Sequence, residues 1–210
     1  MESYENLPEL TIWSSFTKLQ LASYLTKFLV GSNTSERNTS DVSTTPIRKL
    51  YFIDPVNSFP LQEFQQLLSP DQVNNANFYD NVIIATCLDL TELKGLISNI
   101  LPEKSKDNNA ITQGRQDSDI SWLVIINDID VMFRNSNITD PALAHDTLNS
   151  VLLQLRLYAN EVDHSFKCVL LCRRRSRGTR STVGDTRKRP FNRGNTTVQF
   201  ISKYYADKEV

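Results

Sequence analysis

The chain is 210 residues long, 40% hydrophobic and 22% charged, with a formal net charge of −1. That length supports one domain with a substantial core, and no stretch approaches the roughly 20 apolar residues a bilayer span requires. Three cysteines and two histidines without a CxxC pair exclude a disulfide framework and a zinc site of ordinary ligand spacing, so no metal is expected and Cys87, Cys168 and Cys172, in or beside apolar runs, read as core thiols.

Met1 to Asn6 lack the basic start and apolar centre of a signal peptide, which places the expected site of action inside the cell. Leu10 to Trp13 is a short apolar run; Thr17 is placed to cap a helix carrying Leu19, Leu21, Tyr24, Leu25, Phe28 and Leu29. A polar tract over about 31–46 reads as a surface loop. Leu50 to Ile53 is a second strand, ended by Asp54-Pro55, and Leu61 to Leu68 a short helix. Val82 to Leu88 is a third strand feeding a helix through Leu93, Leu96, Ile97 and Ile100.

A second polar loop covers about 103–119. Trp122 to Ile126 is then a continuous β-branched and aromatic run, as expected of a central strand buried on both faces. Asp140-Pro141 supplies an N-cap and a first-turn proline for a long helix burying Leu148, Val151, Leu152 and Leu155. Phe166 to Leu171 is another buried strand. Val198, Phe200, Ile201, Tyr204 and Tyr205 form a last apolar element whose period fits neither helix nor strand. Strands that alternate with helices predict a single α/β domain over 1–210: a mostly parallel, doubly wound or RecA-like sheet covered on both faces.

Such sheets commonly bind nucleotides, but the motifs for hydrolysis are missing. No GxxxxGK[ST] loop occurs, and the turn after Trp13 reads Ser14-Ser15-Phe16-Thr17-Lys18, where Phe16 would crowd a phosphate. Thr17 and Lys18 read as a helix cap with a solvated lysine, or as a vestige of a phosphate loop. The central strand ends in Asn127 rather than a metal-holding acid; Asp128 and Asp130 behind it are capping acids or a displaced ligand pair. No nucleophile and base pairing is legible. The expectation is a degenerate nucleotide site, no cofactor and no enzymatic activity.

The charge is segregated. Between Arg173 and Arg193 lie Arg173, Arg174, Arg175, Arg177, Arg180, Arg187, Lys188, Arg189 and Arg193 against one acid, Asp185, a net of +8 that leaves −9 on the rest of the chain. Arginine forks match phosphate oxygens, and neutralising phosphates releases condensed counterions, so this loop of about 173–195 is fitted to grip a polyanion without reading sequence. The same residues would also serve as a nuclear-import signal or as a solvated charge run. Met132 and Phe133 beside Arg134 read as core packing or a partner contact. Phe59, braced by Pro60, reads as a staple over the following helix or a docking knob.

Leu10-Thr11-Ile12-Trp13, Tyr51-Phe52-Ile53-Asp54 with Ser58-Phe59-Pro60-Leu61, Thr86-Cys87-Leu88-Asp89-Leu90, Val131 to Ser136, and Lys203-Tyr204-Tyr205-Ala206-Asp207 carry a family resemblance across almost the whole chain. In their order and spacing the sequence resembles the fungal chromosome-segregation-in-meiosis subunit of the Shu complex, a degenerate paralogue of the RecA-type recombinase. The resemblance implies a RecA-like core without working nucleotide motifs and a nuclear role in homologous recombination and DNA repair, as a subunit that promotes recombinase filament assembly. It implies a heterodimer with the platinum-sensitivity sister subunit, joined by two smaller Shu proteins. A recombinase-paralogue heterodimer would meet Phe59, and DNA, single-stranded or forked, would be held without sequence preference. By spacing from Lys203, the family's basic cluster falls on Arg187, Lys188 and Arg189; its fourth basic position is Pro190 here, with Arg193 and the Arg173 to Arg180 group nearby. The alternative reading is a scaffold subunit whose basic loop serves import or protein contact.

Overall fold

The computed structural model describes residues 10–31, 47–70, 75–101, 120–161, 166–172 and 196–209. β1 (Leu10–Trp13) runs into a pair of serines, and Thr17 then starts α1 (Lys18–Val30). The start is fixed by a reciprocal cap. Thr17 Oγ1 accepts from the Gln20 N–H at 3.1 Å, and Gln20 Oε1 accepts from the Thr17 N–H at 2.8 Å. Replacing Thr17 with alanine is expected to cost about 1 kcal/mol, seen as a lower urea midpoint at unchanged slope. α1 ends at Gly31, whose φ of 81° disfavours a side chain and whose Cα faces the Arg48 guanidinium; that group donates to the Phe28 carbonyl at 2.9 Å.

β2 (Ile47–Asp54) leads to α2 (Leu61–Leu67) and the single turn α3 (Ala76–Tyr79). β3 (Val82–Thr86) precedes α4 (Leu90–Ile100), which Asp89 caps by accepting from the N–H groups of Thr91 and Glu92. β4 (Ile120–Asn127) is followed by α5 (Ile129–Thr139) and α6 (Pro141–Glu161), the latter started by Asp140 accepting from Ala142 and Leu143 N–H, both at 3.1 Å. β5 (Phe166–Leu171), α7 (Thr196–Tyr204) and the two-residue β6 (Lys208–Glu209) complete the described chain.

Every strand pairing is parallel, in the order β3-β2-β4-β5-β1-β6. Alternation along the strands sends Leu10, Ile12, Ile53, Val124, Ile126, Cys168 and Leu170 to one face, under α4, α5, α6 and α7. Trp13, Leu50, Phe52, Leu123, Ile125 and Val169 point to the other, under α1 and α2. This is the α/β, RecA-like architecture that the strand and helix alternation predicts, with β4 and β5 as the central pair.

Three elements differ from the sequence reading. Val82 to Thr86 is apolar yet not buried: β3 is the sheet's edge, with Ile83 40% and Ile84 48% exposed on opposite faces. Residues after Asn127 form a helix, α5, which buries Ile129 and Met132. The last apolar element is α7 followed by a strand, two periods run together, which is why neither fitted alone.

The routing positions the site. Connections leaving β1 and β2 cross one face, whereas those leaving β3, β4 and β5 cross the other. At the β3–β2, β2–β4 and β5–β1 neighbours the chain therefore departs in opposite directions, the places at the carboxyl edge where ligands of such sheets sit, and the last two flank the β4–β5 centre.

Candidate nucleic-acid interface

The nine basic residues, Arg173, Arg174, Arg175, Arg177, Arg180, Arg187, Lys188, Arg189 and Arg193, lie outside the described residues, as do Pro190 and Phe191. What the structure gives is the framework from which this segment leaves and to which it returns. The entry foot is Cys172, whose N–H donates to the Trp13 carbonyl at 2.9 Å as the Asp128 N–H donates to the Leu171 carbonyl at 2.9 Å. The segment thus departs from the carboxyl edge, between the ends of β4 and β1.

The return foot is α7, seated by the fully buried Ile201. Beyond it Asp207 closes on β1. Its N–H donates to the Leu10 carbonyl at 2.9 Å, and its Oδ2 accepts from the Leu10 N–H at 3.0 Å. Arg156 braces this closure, donating to the Tyr205 carbonyl at 2.9 Å and standing 3.6 Å from Asp207 Oδ1. The Lys203 to Asp207 string is therefore an anchor.

On the β4 side of the entry foot lies a polar network that sequence reading missed. Asp54 and Asn127 are each 1% exposed. Asp54 Oδ1 accepts from Val56 N–H at 3.0 Å and from Asn127 Nδ2 at 3.1 Å, while its Oδ2 accepts from Ser58 N–H. The Asn127 amide also donates to Ser58 Oγ at 2.9 Å and Asp128 Oδ2 at 3.4 Å. Asn57 and Asp128 turn through left-handed backbone, φ 52° and 50°, to bring these groups together. An amide donating to two carboxylates fills this crevice from within.

On the β1 side, the turn that would hold a phosphate loop is instead packed by a ring. Phe16 is half-buried, its centroid 6.5 Å from that of Trp13, which in turn meets Tyr24 at 4.7 Å. Thr17 is engaged as the cap, and Lys18 is exposed. Asp130 pairs with Arg134 at 3.0 Å. Among the described residues no group of three His, Cys, Asp or Glu side chains gathers as a metal set, and no helix is long and apolar enough to cross a membrane.

Of the residues singled out for partner contact, Met132 is fully buried beneath α5 and has no surface to offer, so its role is packing. Phe133 is half-buried and meets His145 edge-on at 4.9 Å. Phe59 packs edge-on against Phe52 at 5.1 Å and Phe64 at 5.5 Å, the staple arrangement, with part of its ring left to solvent. The three cysteines are buried, and none is joined in a disulfide. Burial first, then the charges of Glu92 and Asp89, push the Cys87 thiol up to about 11, and burial pushes Cys168 well above the ordinary thiol range. A raised thiol pKa keeps the reactive thiolate scarce at pH 8. Ellman's reagent is thus expected to find almost no fast-reacting thiol in the folded chain and three after denaturation.

Comparison with known proteins agrees with this frame. Residues 10–206 match the family described as "Shu complex component Csm2, DNA-binding". The chain is similar to Chromosome segregation in meiosis protein 2 of Saccharomyces cerevisiae, 30% identical with 97% of each chain covered. It is similar also to the protein of that name from Candida glabrata, 32% identical over 98% of this chain and 96% of the other. The Eremothecium gossypii protein is 28% identical over 78% and 86% respectively. A match from Leu10 to Ala206 covers β1 to β5, the basic segment and α7 beyond it, and the chain belongs to the Csm2 family of DNA-binding Shu complex components.

Proposed function

We propose that this chain is a non-catalytic DNA-binding subunit that grips phosphates through Arg187, Lys188 and Arg189, supported by Arg193 and the Arg173 to Arg180 group. It acts in the nucleus, in meiosis and in homologous recombination and DNA repair. There it pairs with the platinum-sensitivity sister subunit, joins two smaller Shu proteins, and helps recombinase filaments assemble together with the recombinase-paralogue heterodimer. The exposed part of Phe59 is the contact offered to that heterodimer.

The observation that carries this reading is the combination of nine cations in one segment with two feet staked to the same sheet. The entry foot stands at the carboxyl edge of that sheet, and cations this close in sequence let a phosphate chain meet several at once. The absence of a glycine loop and the packing of Phe16 where phosphate would approach support a role without nucleotide hydrolysis.

The test is fluorescence anisotropy with labelled single-stranded and forked DNA, using the chain co-purified with its sister subunit. Wild type is compared with the variant carrying alanine at positions 187, 188 and 189. Loss of affinity in the variant, with the heterodimer intact, supports the reading. Equal affinity assigns DNA binding to the sister subunit and leaves this chain as a scaffold.

A further inference from the structure

The entry foot of the basic segment stands between two unlike neighbours. Toward β4 the carboxyl edge carries the buried carboxylate of Asp54, Asp128, and Asp130 with its ion-pair partner Arg134, a net excess of acid. Toward β1 it carries the turn Ser14 to Lys18, and from Leu10 to Val30 the only charged residues are Lys18 and Lys27. A polyanion held at the foot is repelled on the first side and attracted on the second. The two crevices differ in the same sense: the β2–β4 one is filled by the Asn127 network, while the β5–β1 one is bordered by Phe16 and Lys18.

We propose that the β1–α1 turn is a second DNA contact, in which Phe16 stacks on an unpaired base and Lys18 holds a neighbouring phosphate. This deepens the reading of the basic segment as the DNA grip and rests on it. The geometry favours single-stranded DNA. The Phe16 ring lies 6.5 Å from that of Trp13, tilted 41° to it, Trp13 in turn meets Tyr24 edge-on, and Phe16 is only half-buried, two residues before an exposed lysine. A rigid aromatic beside a cation matches the alternation of base and phosphate in a single strand, whereas a duplex hides its base faces in the stack. Cys172, the last described residue before the basic segment, donates its N–H to the Trp13 carbonyl, so the point where that segment leaves the sheet lies beside this turn.

The experiment measures anisotropy of a labelled oligothymidylate and of a duplex of equal length with the full chain and the variants F16L, F16W and K18A. Leucine keeps the apolar contact with Trp13 but removes the stacking face, and equal thermal melting confirms that the fold is retained. F16L is expected to weaken oligothymidylate binding about tenfold and duplex binding by less than about twofold, while F16W retains wild-type affinity. K18A is expected to lower the salt slope on oligothymidylate by about 0.7. If F16L and K18A bind like wild type while the triple alanine variant of the basic segment is weakened, the turn is not a contact and the basic segment stands alone. If the triple variant keeps its affinity and F16L loses it, the turn is the contact and the reading of the basic segment fails.

Discussion

Alanine at Arg187, Lys188 and Arg189 is expected to flatten the salt dependence of DNA binding. Each phosphate neutralised by a cation releases about 0.7 to 0.9 counterions, so three lost contacts reduce the slope of log affinity against log salt by about 2 to 3 units. Over a fourfold rise in salt the wild-type chain then loses about 16- to 64-fold more affinity than the variant. The variant binds more weakly at low salt and converges on wild type as salt rises. Six of the nine cations remain in it, Arg193 and the five from Arg173 to Arg180, so residual binding keeps a shallower slope. Parallel lines for the two proteins would reject these three residues as phosphate contacts.

Replacing Asp54 with alanine is expected to cost about 3 to 5 kcal/mol of folding stability. Three groups donate to its carboxylate: the N–H of Val56, the N–H of Ser58 and the Asn127 amide. Hydrogen bonds to a charged group contribute about 1.5 to 3 kcal/mol each, and a buried donor left without an acceptor adds its desolvation cost. Because the three act as one unit their losses do not sum, which holds the total near the upper end for a single substitution. Urea unfolding measures the loss directly, and amide exchange at Val56 and Ser58 should accelerate together, since both report the turn that carries Phe59. A loss below about 1 kcal/mol would mean the network is not closed in solution.

The contrast between legible and illegible features follows their range along the chain. β4, β5 and the caps at Thr17 and Asp140 were readable because each rests on neighbours a few residues apart: a β-branched run, or a side chain reaching the next turn. α5 was not. Asn135, Ser136 and Asn137 are poor helix formers, and the helix exists because Ile129 and Met132 are drawn into the core and Ser136 accepts the N–H of Leu90 at 2.9 Å. The edge position of β3 was not legible because Val82 to Thr86 has the composition of an interior strand, while its place in the sheet is decided by pairing with β2. The Asp54–Asn127 bond joins residues 73 apart, a separation no local pattern encodes. For the site, the cations could be read directly from the chain. The facts that both feet are tied to β1, one at Trp13 and the other at Leu10, and that Phe16 stands beside the first, belong to the strand order.

The Asp207 closure also bears on what happens when the backbone is interrupted. Since the portion from Thr196 onward is held by Ile201, by one main-chain bond and one carboxylate bond from Asp207 to Leu10 and by Arg156, one cut between Cys172 and Thr196 is expected to yield two fragments that co-elute as a single particle. A protease recognition sequence inserted there is accordingly expected to leave the remainder of the domain in its shape.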